Sequence, residues 1–164
     1  MIRHFTSTGF VVHENAVLLH WHRKVQEWLP AGGHVEPNED PVQATLREVL
    51  EETGIDVAIV PTTTQLPIGN LEQVDAPFSV MIEDVFDQEH GKHQHIDFIY
   101  FTVPTASNSS EAPDGWYWVT RDQLEHGGKL PAPDGRDVPP PEDVLKLGMA
   151  AIDHVAAWRR NGGR

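Results

Sequence analysis

The 164-residue chain contains no cysteine, which excludes disulfides, thiolate metal sites and cysteine nucleophiles together. Basic residues are scarce as well. Twelve Lys and Arg stand against 25 Asp and Glu, a formal charge of −13 with the ten histidines neutral. A general nucleic-acid binder needs a basic stripe to displace counterions from phosphate, and this balance argues against one. A small phosphorylated ligand remains compatible with it, because bound divalent cations reverse the local field. Apolar runs are short. None approaches the roughly eighteen residues of a membrane span, and the opening MIRHFTST is too polar for a signal peptide. These absences lead to the expectation of a cytoplasmic protein with no membrane partner. Length and a composition 39% hydrophobic and 23% charged suit one domain over residues 1–164, with no internal repeat.

Residues 4–13 and 16–22 read as two strands joined by a turn at Glu14-Asn15. Trp28 to Gly33 reads as a Gly/Pro turn. Asp40-Pro41-Val42-Gln43 carries the signs of a helix start: an Asp cap, proline at the first helical position and Gln three residues after the cap. The helix is expected to reach Thr53 and stop at Gly54. Residues 55–60, 78–86, 96–103 and 116–119 are β-rich, with a polar loop at 104–115. Thr120 to Gln123 repeats the capping pattern and predicts a short helix ending at Gly127-Gly128. Five prolines between 131 and 141 predict irregular backbone there. A last helix over 142–160 places Val144, Leu147, Gly148, Ala151, Ile152, Val155 and Trp158 on one stripe. The expected fold is an α+β sandwich around a mixed sheet.

The informative segment runs from Gly33 to Ile55. It reads Gly33, five residues, Glu39, seven residues, Arg47-Glu48-Val49, one residue, Glu51-Glu52, one residue, Gly54-Ile55. With Glu48 at 0° and roughly 100° per residue, Glu51 falls near 300° and Glu52 near 40°, while Val49, Val42, Leu46 and Leu50 fall between about 100° and 200°. One face thus carries three carboxylates and the opposite face is apolar. Like charges on adjacent turns repel, and they crowd the helix end where the dipole already disfavours anions. Divalent cations with oxygen ligands supply a reason for that arrangement.

Every specified position of this segment resembles the Nudix box, the signature of hydrolases acting on nucleoside diphosphates linked to another moiety. A chance match has odds on the order of 10⁻⁸ with average residue usage. The resemblance implies a Nudix-type α/β/α sandwich with a mixed β-sheet. It implies Mg²⁺ or Mn²⁺ held by Glu48, Glu51, Glu52 and the Gly32 carbonyl. It gives Arg47 the task of orienting box glutamates, with Glu39 as its partner. The implied reaction is attack of water on phosphorus in a small nucleotide-type substrate, with Glu51, Glu52, Arg47 and Glu111 of the 104–115 loop as catalytic residues. The base is a helix glutamate or a loop carboxylate.

Other signals are weaker. Arg23 and Lys24 follow the second strand and are candidates for a phosphate contact, against the alternative of a solvated strand end. His90, His93 and His95 form H-x-x-H-x-H without a fourth ligand at a set spacing; the preferred reading puts His95 and Asp97 on one strand face, which either contributes to the substrate pocket or simply meets solvent. Trp28, Phe78, Tyr100 and Trp118 are expected in the core rather than against a base. The family's ADP-ribose and dinucleoside-polyphosphate markers, a proline and a tyrosine downstream of the box, are replaced here by Asn70-Leu71 and Glu72-Gln73. The rival reading is a Nudix-like module that senses a nucleotide without cleaving it. Which apolar edges stay exposed is not written in the sequence, so a homodimer is left open.

Overall fold

A computed structural model describes residues 2–87, 91–106 and 111–163, apart from the side chain of Asp87. The elements in order are β1 (Arg3–His13), β2 (Ala16–His22), β3 (Glu27–Leu29), β4 (Ala31–His34), α1 (Pro41–Thr53), β5 (Val57–Ile59), β6 (Ser79–Asp87), β7 (Gly91–Pro104), β8 (Trp116–Thr120), α2 (Arg121–Glu125), β9 (Leu130–Pro131), β10 (Asp137–Val138) and α3 (Glu142–Arg160). His90 lies outside the described residues.

The sheet is built on β1. Along Arg3 to Val11 it runs parallel to β7, and along Thr6 to Gly9 its other edge pairs antiparallel with β4. Its last residues turn to pair with β2, which carries β3 and β8 on its two sides. On the far edge, β7 accepts β6 and then β5, both antiparallel. The result is a mixed sheet with helices, as the patterning predicts.

Alternation along β1 sends side chains to two cores. Phe10 and Val12 join Leu19, Phe101, Leu124, Ile152 and Val155 beneath α2 and α3. Val11 joins Leu18, Ala31, Val49 and Trp116 on the α1 side. Close approach of α1 depends on Gly9, where an added Cβ would stand 2.8 Å from Val49 Cγ2 and 2.9 Å from Thr45 Cγ2. Next to it, the Ser7 hydroxyl donates to Pro41 O at 2.8 Å and contacts Thr45 Oγ1 at 2.5 Å. The start of α1 is built as its sequence requires: Asp40 accepts from the Val42 and Gln43 N–H groups, Gln43 answers to the Asp40 N–H, and Gly54 ends the helix at φ 71°.

Three expectations need correction. Trp28 to Gly33 is not a simple turn: Trp28 is fully buried in β3, and Gly32 and Gly33 are strand residues paired with Thr8 and Ser7. The proline-rich stretch holds a two-residue ribbon, Pro131 opposite Asp137 and Leu130 opposite Val138. Finally, α1 buries Ala44, Thr45, Val49 and Thr53, while Leu46 is partly buried and Leu50 is 44% exposed. The helix is rotated toward its glutamate side, because small residues let it sit close over Gly9 and the glutamates must reach β4.

Candidate active site

Arg47 organises the carboxylates. Its Nε and Nη2 donate to the two oxygens of Glu39 at 2.9 and 3.0 Å, a bidentate pair. Nη1 donates to Glu48 Oε1 at 2.7 Å and to Glu51 Oε2 at 3.3 Å, and Nη2 also reaches the His34 carbonyl at 3.0 Å. These bonds hold the Glu39 carboxyl below its ordinary range and raise the guanidinium's pKa. One cation thus ties the loop before α1, the end of β4 and two helix glutamates together.

Glu48 lies against Gly33. A Cβ on that glycine would stand 2.5 Å from Glu48 Cδ, so only a hydrogen fits. Gly32 is equally closed in, since its added Cβ would meet the Ser7 carbonyl at 2.7 Å. Glu52, one turn on, is pushed up to about 7, first by desolvation and then by the charges of Glu48 and Glu51, while the Gly32 N–H pulls the other way. Its backbone is anchored where Trp116 Nε1 donates to the Glu52 carbonyl at 3.2 Å.

Glu52, Gly32 and Gly33 form one side of a cavity of about 330 Å³, the size of a small-molecule site. Its floor is one face of the β1–β7 pair: Thr6, Thr8 and Phe10 beside His95, Asp97 and Ile99. His20 and His22 of β2, Leu29, Glu83 of β6, and Asp143, Val144 and Leu147 of α3 complete the walls. Asp97 is buried and accepts from Thr6 Oγ1 at 2.9 Å and Thr8 Oγ1 at 2.8 Å. Burial raises its pKa, and the two hydroxyls oppose that rise. Glu83 is pushed up to about 7 by burial and by the charges of Asp97, Asp143 and Glu27. The charges acting on Glu52 come from α1, whereas those acting on Glu83 come from β7, α3 and β3. His20 stacks on Trp116 with ring centroids 4.3 Å apart, and its pKa is lowered to about 4 by burial and by His22.

The structure therefore brings Gly32, Glu52, His95 and Asp97 to one cavity, with Arg47, Glu48 and Glu51 in the network beside it. It does not bring Arg23 and Lys24 there: both are exposed on the β2–β3 turn. Glu111 is likewise exposed and outside the cavity lining. Of the aromatics, Trp28 and Tyr100 are buried in the core, Phe78 is 43% exposed, and none of the four lines the cavity. Sequence reasoning missed Thr6, Thr8, His20, Glu83 and Asp143. Strand alternation would have paired Thr6 with Thr8, whereas the others depend on packing. His93 and His95 meet at 3.2 Å between Nε2 atoms, and His4 and His34 adjoin them. Among the described residues, however, no three or more His, Asp or Glu side chains are grouped to hold a metal ion.

Comparison with known proteins decides the family. The family model described as NUDIX domain matches residues 3–138. The chain belongs to the NUDIX domain family. A solved NUDIX-family hydrolase from Clostridium perfringens is 28% identical, with 94% of this chain and 99% of that one covered and a TM-score of 0.69. An Ap4A hydrolase from C. elegans, 13% identical over 96% of this chain and 99% of its own, shares the fold with a TM-score of 0.57. A probable DHNTP pyrophosphohydrolase from Lactococcus lactis is 33% identical over 95 residues, which are 58% of this Nudix chain and 51% of that protein. A bis(5'-nucleosyl)-tetraphosphatase (asymmetrical) from Sus scrofa is 48% identical over 40 residues, 24% of this chain and 27% of that one. The matches thus span at most about half the length of these two relatives.

Proposed function

We propose that this Nudix chain is a metal-dependent pyrophosphohydrolase that cleaves a phosphoanhydride bond in a nucleoside diphosphate derivative or nucleotide. The observation that carries the reading is Glu48, fixed between Arg47 and Gly33 one turn from a Glu52 whose carboxyl faces the cavity. Glu48 and Glu52 offer two carboxylates, and the Gly32 carbonyl is the third oxygen. Such a sparse, oxygen-only set fits Mg²⁺ or Mn²⁺, because Mg²⁺ is usually bound by one or two carboxylates plus waters and substrate phosphates rather than by a full protein cage. Burial first, and then the charges of Glu48 and Glu51, push Glu52 up to about 7, and a bound divalent cation would favour its charged form.

When bound, the ion would lower the pKa of an attacking water and neutralise phosphate charge. The protein's own part is positioning. Arg47 keeps Glu48 from swinging out to solvent, and the strand glycines let that carboxylate approach β4. With Glu51 and Glu111 both outside the cavity lining, Glu52 is the carboxylate left to take the proton of the water. No Lys or Arg is among the described cavity residues, so phosphate charge falls to the metal rather than to Arg23 or Lys24.

The test is a screen of nucleotides and nucleotide conjugates with Mg²⁺ and with Mn²⁺, reading phosphate or mononucleotide products. Turnover that persists in saturating EDTA, or in Glu52→Gln, ends the metal-dependent reading.

A further inference from the structure

We propose that the Asp97 carboxylate determines specificity by accepting two adjacent N–H donors from a planar heterocycle, the amino-and-imino edge that guanine and pterins share. This rests on the hydrolase reading, since it names what fills the cavity beyond the phosphates.

Asp97 is 5% exposed and yet lines the cavity. A carboxylate has about four acceptor positions. Thr6 fills one on Oδ1 and Thr8 one on Oδ2, which fixes the carboxylate plane and leaves one position on each oxygen. Two neighbouring N–H groups match that spacing in the way a guanidinium fork does. Holding two threonine hydroxyls does not require a charge, for an asparagine would do so without the desolvation cost of a buried anion. No Lys or Arg among the described lining residues offsets that charge. The remaining position on each oxygen is where the ligand's donors would bond.

The rest of the cavity sorts the possibilities. Glu83 and Asp143 stand near Asp97 and repel phosphate from this end, which directs the phosphates to the Glu52 end. Phe10, Leu29, Ile99 and Leu147 give apolar surface for ring faces. Adenine and cytosine present an acceptor nitrogen beside the amino group, and uracil and hypoxanthine lack the second donor. Among the common bases, guanine alone offers the paired donors, and pterins carry the same edge.

The experiment measures binding, so that it does not depend on turnover. Titration calorimetry on the full chain compares guanosine with inosine, which lacks only the 2-amino group, and neopterin with its 2-oxo analogue. The 2-amino member of at least one pair is expected to bind about 10- to 100-fold more tightly, the discrimination of one bidentate contact; which pair shows it identifies the source of the edge. Asp97→Asn is expected to bring the ratio within about twofold, and Thr8→Val, which frees Oδ2, to reduce it in part. Thermal melts confirm that both variants are folded. Equal binding within both pairs, or a ratio that survives in folded Asp97→Asn, overturns the proposal. Selective binding with no hydrolysis of any nucleotide supports it and overturns the hydrolase reading instead.

Discussion

Gly33 and Glu48 occupy space that leaves no room for a methyl group between them: a Cβ at position 33 would lie 2.5 Å from the Glu48 carboxyl carbon. Glu48 cannot simply retreat, because Arg47 holds its Oε1 at 2.7 Å. Gly33→Ala is therefore expected to displace the carboxylate by about an ångström and lower kcat/KM by about 10²-fold. Far-UV circular dichroism should stay native. A fully active Gly33→Ala enzyme would contradict this placement.

Arg47→Ala leaves Glu39 and Glu48, both mostly shielded from solvent, without their cation. The expected cost is about 2–3 kcal/mol of stability, read by urea denaturation, together with loss of activity. Arg47→Lys should recover part of the stability and little of the activity, since an ammonium cannot make the bidentate bond to Glu39.

Glu52 links stability to pH. Its folded-state pKa, about 7, lies above its ordinary 4.5, so the folded state binds this proton more tightly than the unfolded chain. The associated stability is present below about pH 4.5 and is lost as pH rises through 7. Glu83 acts in the same sense, whereas His20, lowered to about 4, costs stability as pH falls below its ordinary 6.5. In EDTA, Glu52→Gln should show a shallower decline in melting temperature between pH 5 and 8 (an interval around these values) than the parent. Mg²⁺ should stabilise the parent more at the upper end of that range, and the variant less.

The helix rotation predicts a distinct pattern in the core. Val49→Ala should cost about 2 kcal/mol, and Leu50→Ala less than about 0.5 kcal/mol because its side chain is half in solvent. Gly9→Ala should cost about 1–3 kcal/mol by forcing α1 off the sheet. Denaturant midpoints of the three variants decide this; a larger loss for Leu50 than for Val49 would require the helix to turn the other way.

The catalytic base is tested by comparing two conservative variants. Glu52→Gln is expected to cut kcat by about 10²–10⁴, while Glu111→Gln should change it less than about threefold, within the range of a surface substitution. The opposite ranking would bring the 104–115 loop back as the source of the base.

The sequence by itself determined what local chemistry governs. Asp40 with Gln43 and Pro41 starts a helix, Gly54 in the left-handed region ends it, and the spacing of Arg47, Glu48, Glu51 and Glu52 on that helix gathers carboxylates within one turn. All of these interactions act over four residues or fewer, so one stretch of chain is enough to fix them. Tertiary structure decided which way that helix faces, since burial of Thr45 and Val49 rather than Leu50 follows from Gly9 on a distant strand. It also decided the cavity. Asp97 meets Thr6 because β7 lies parallel to β1 in one register, 91 residues apart in sequence, and Glu83 and Asp143 arrive from an edge strand and the last helix. Their side chains carry no local mark of that meeting. Register and the packing of elements from distant parts of the chain place them, and those forces are set only when the whole sheet has closed.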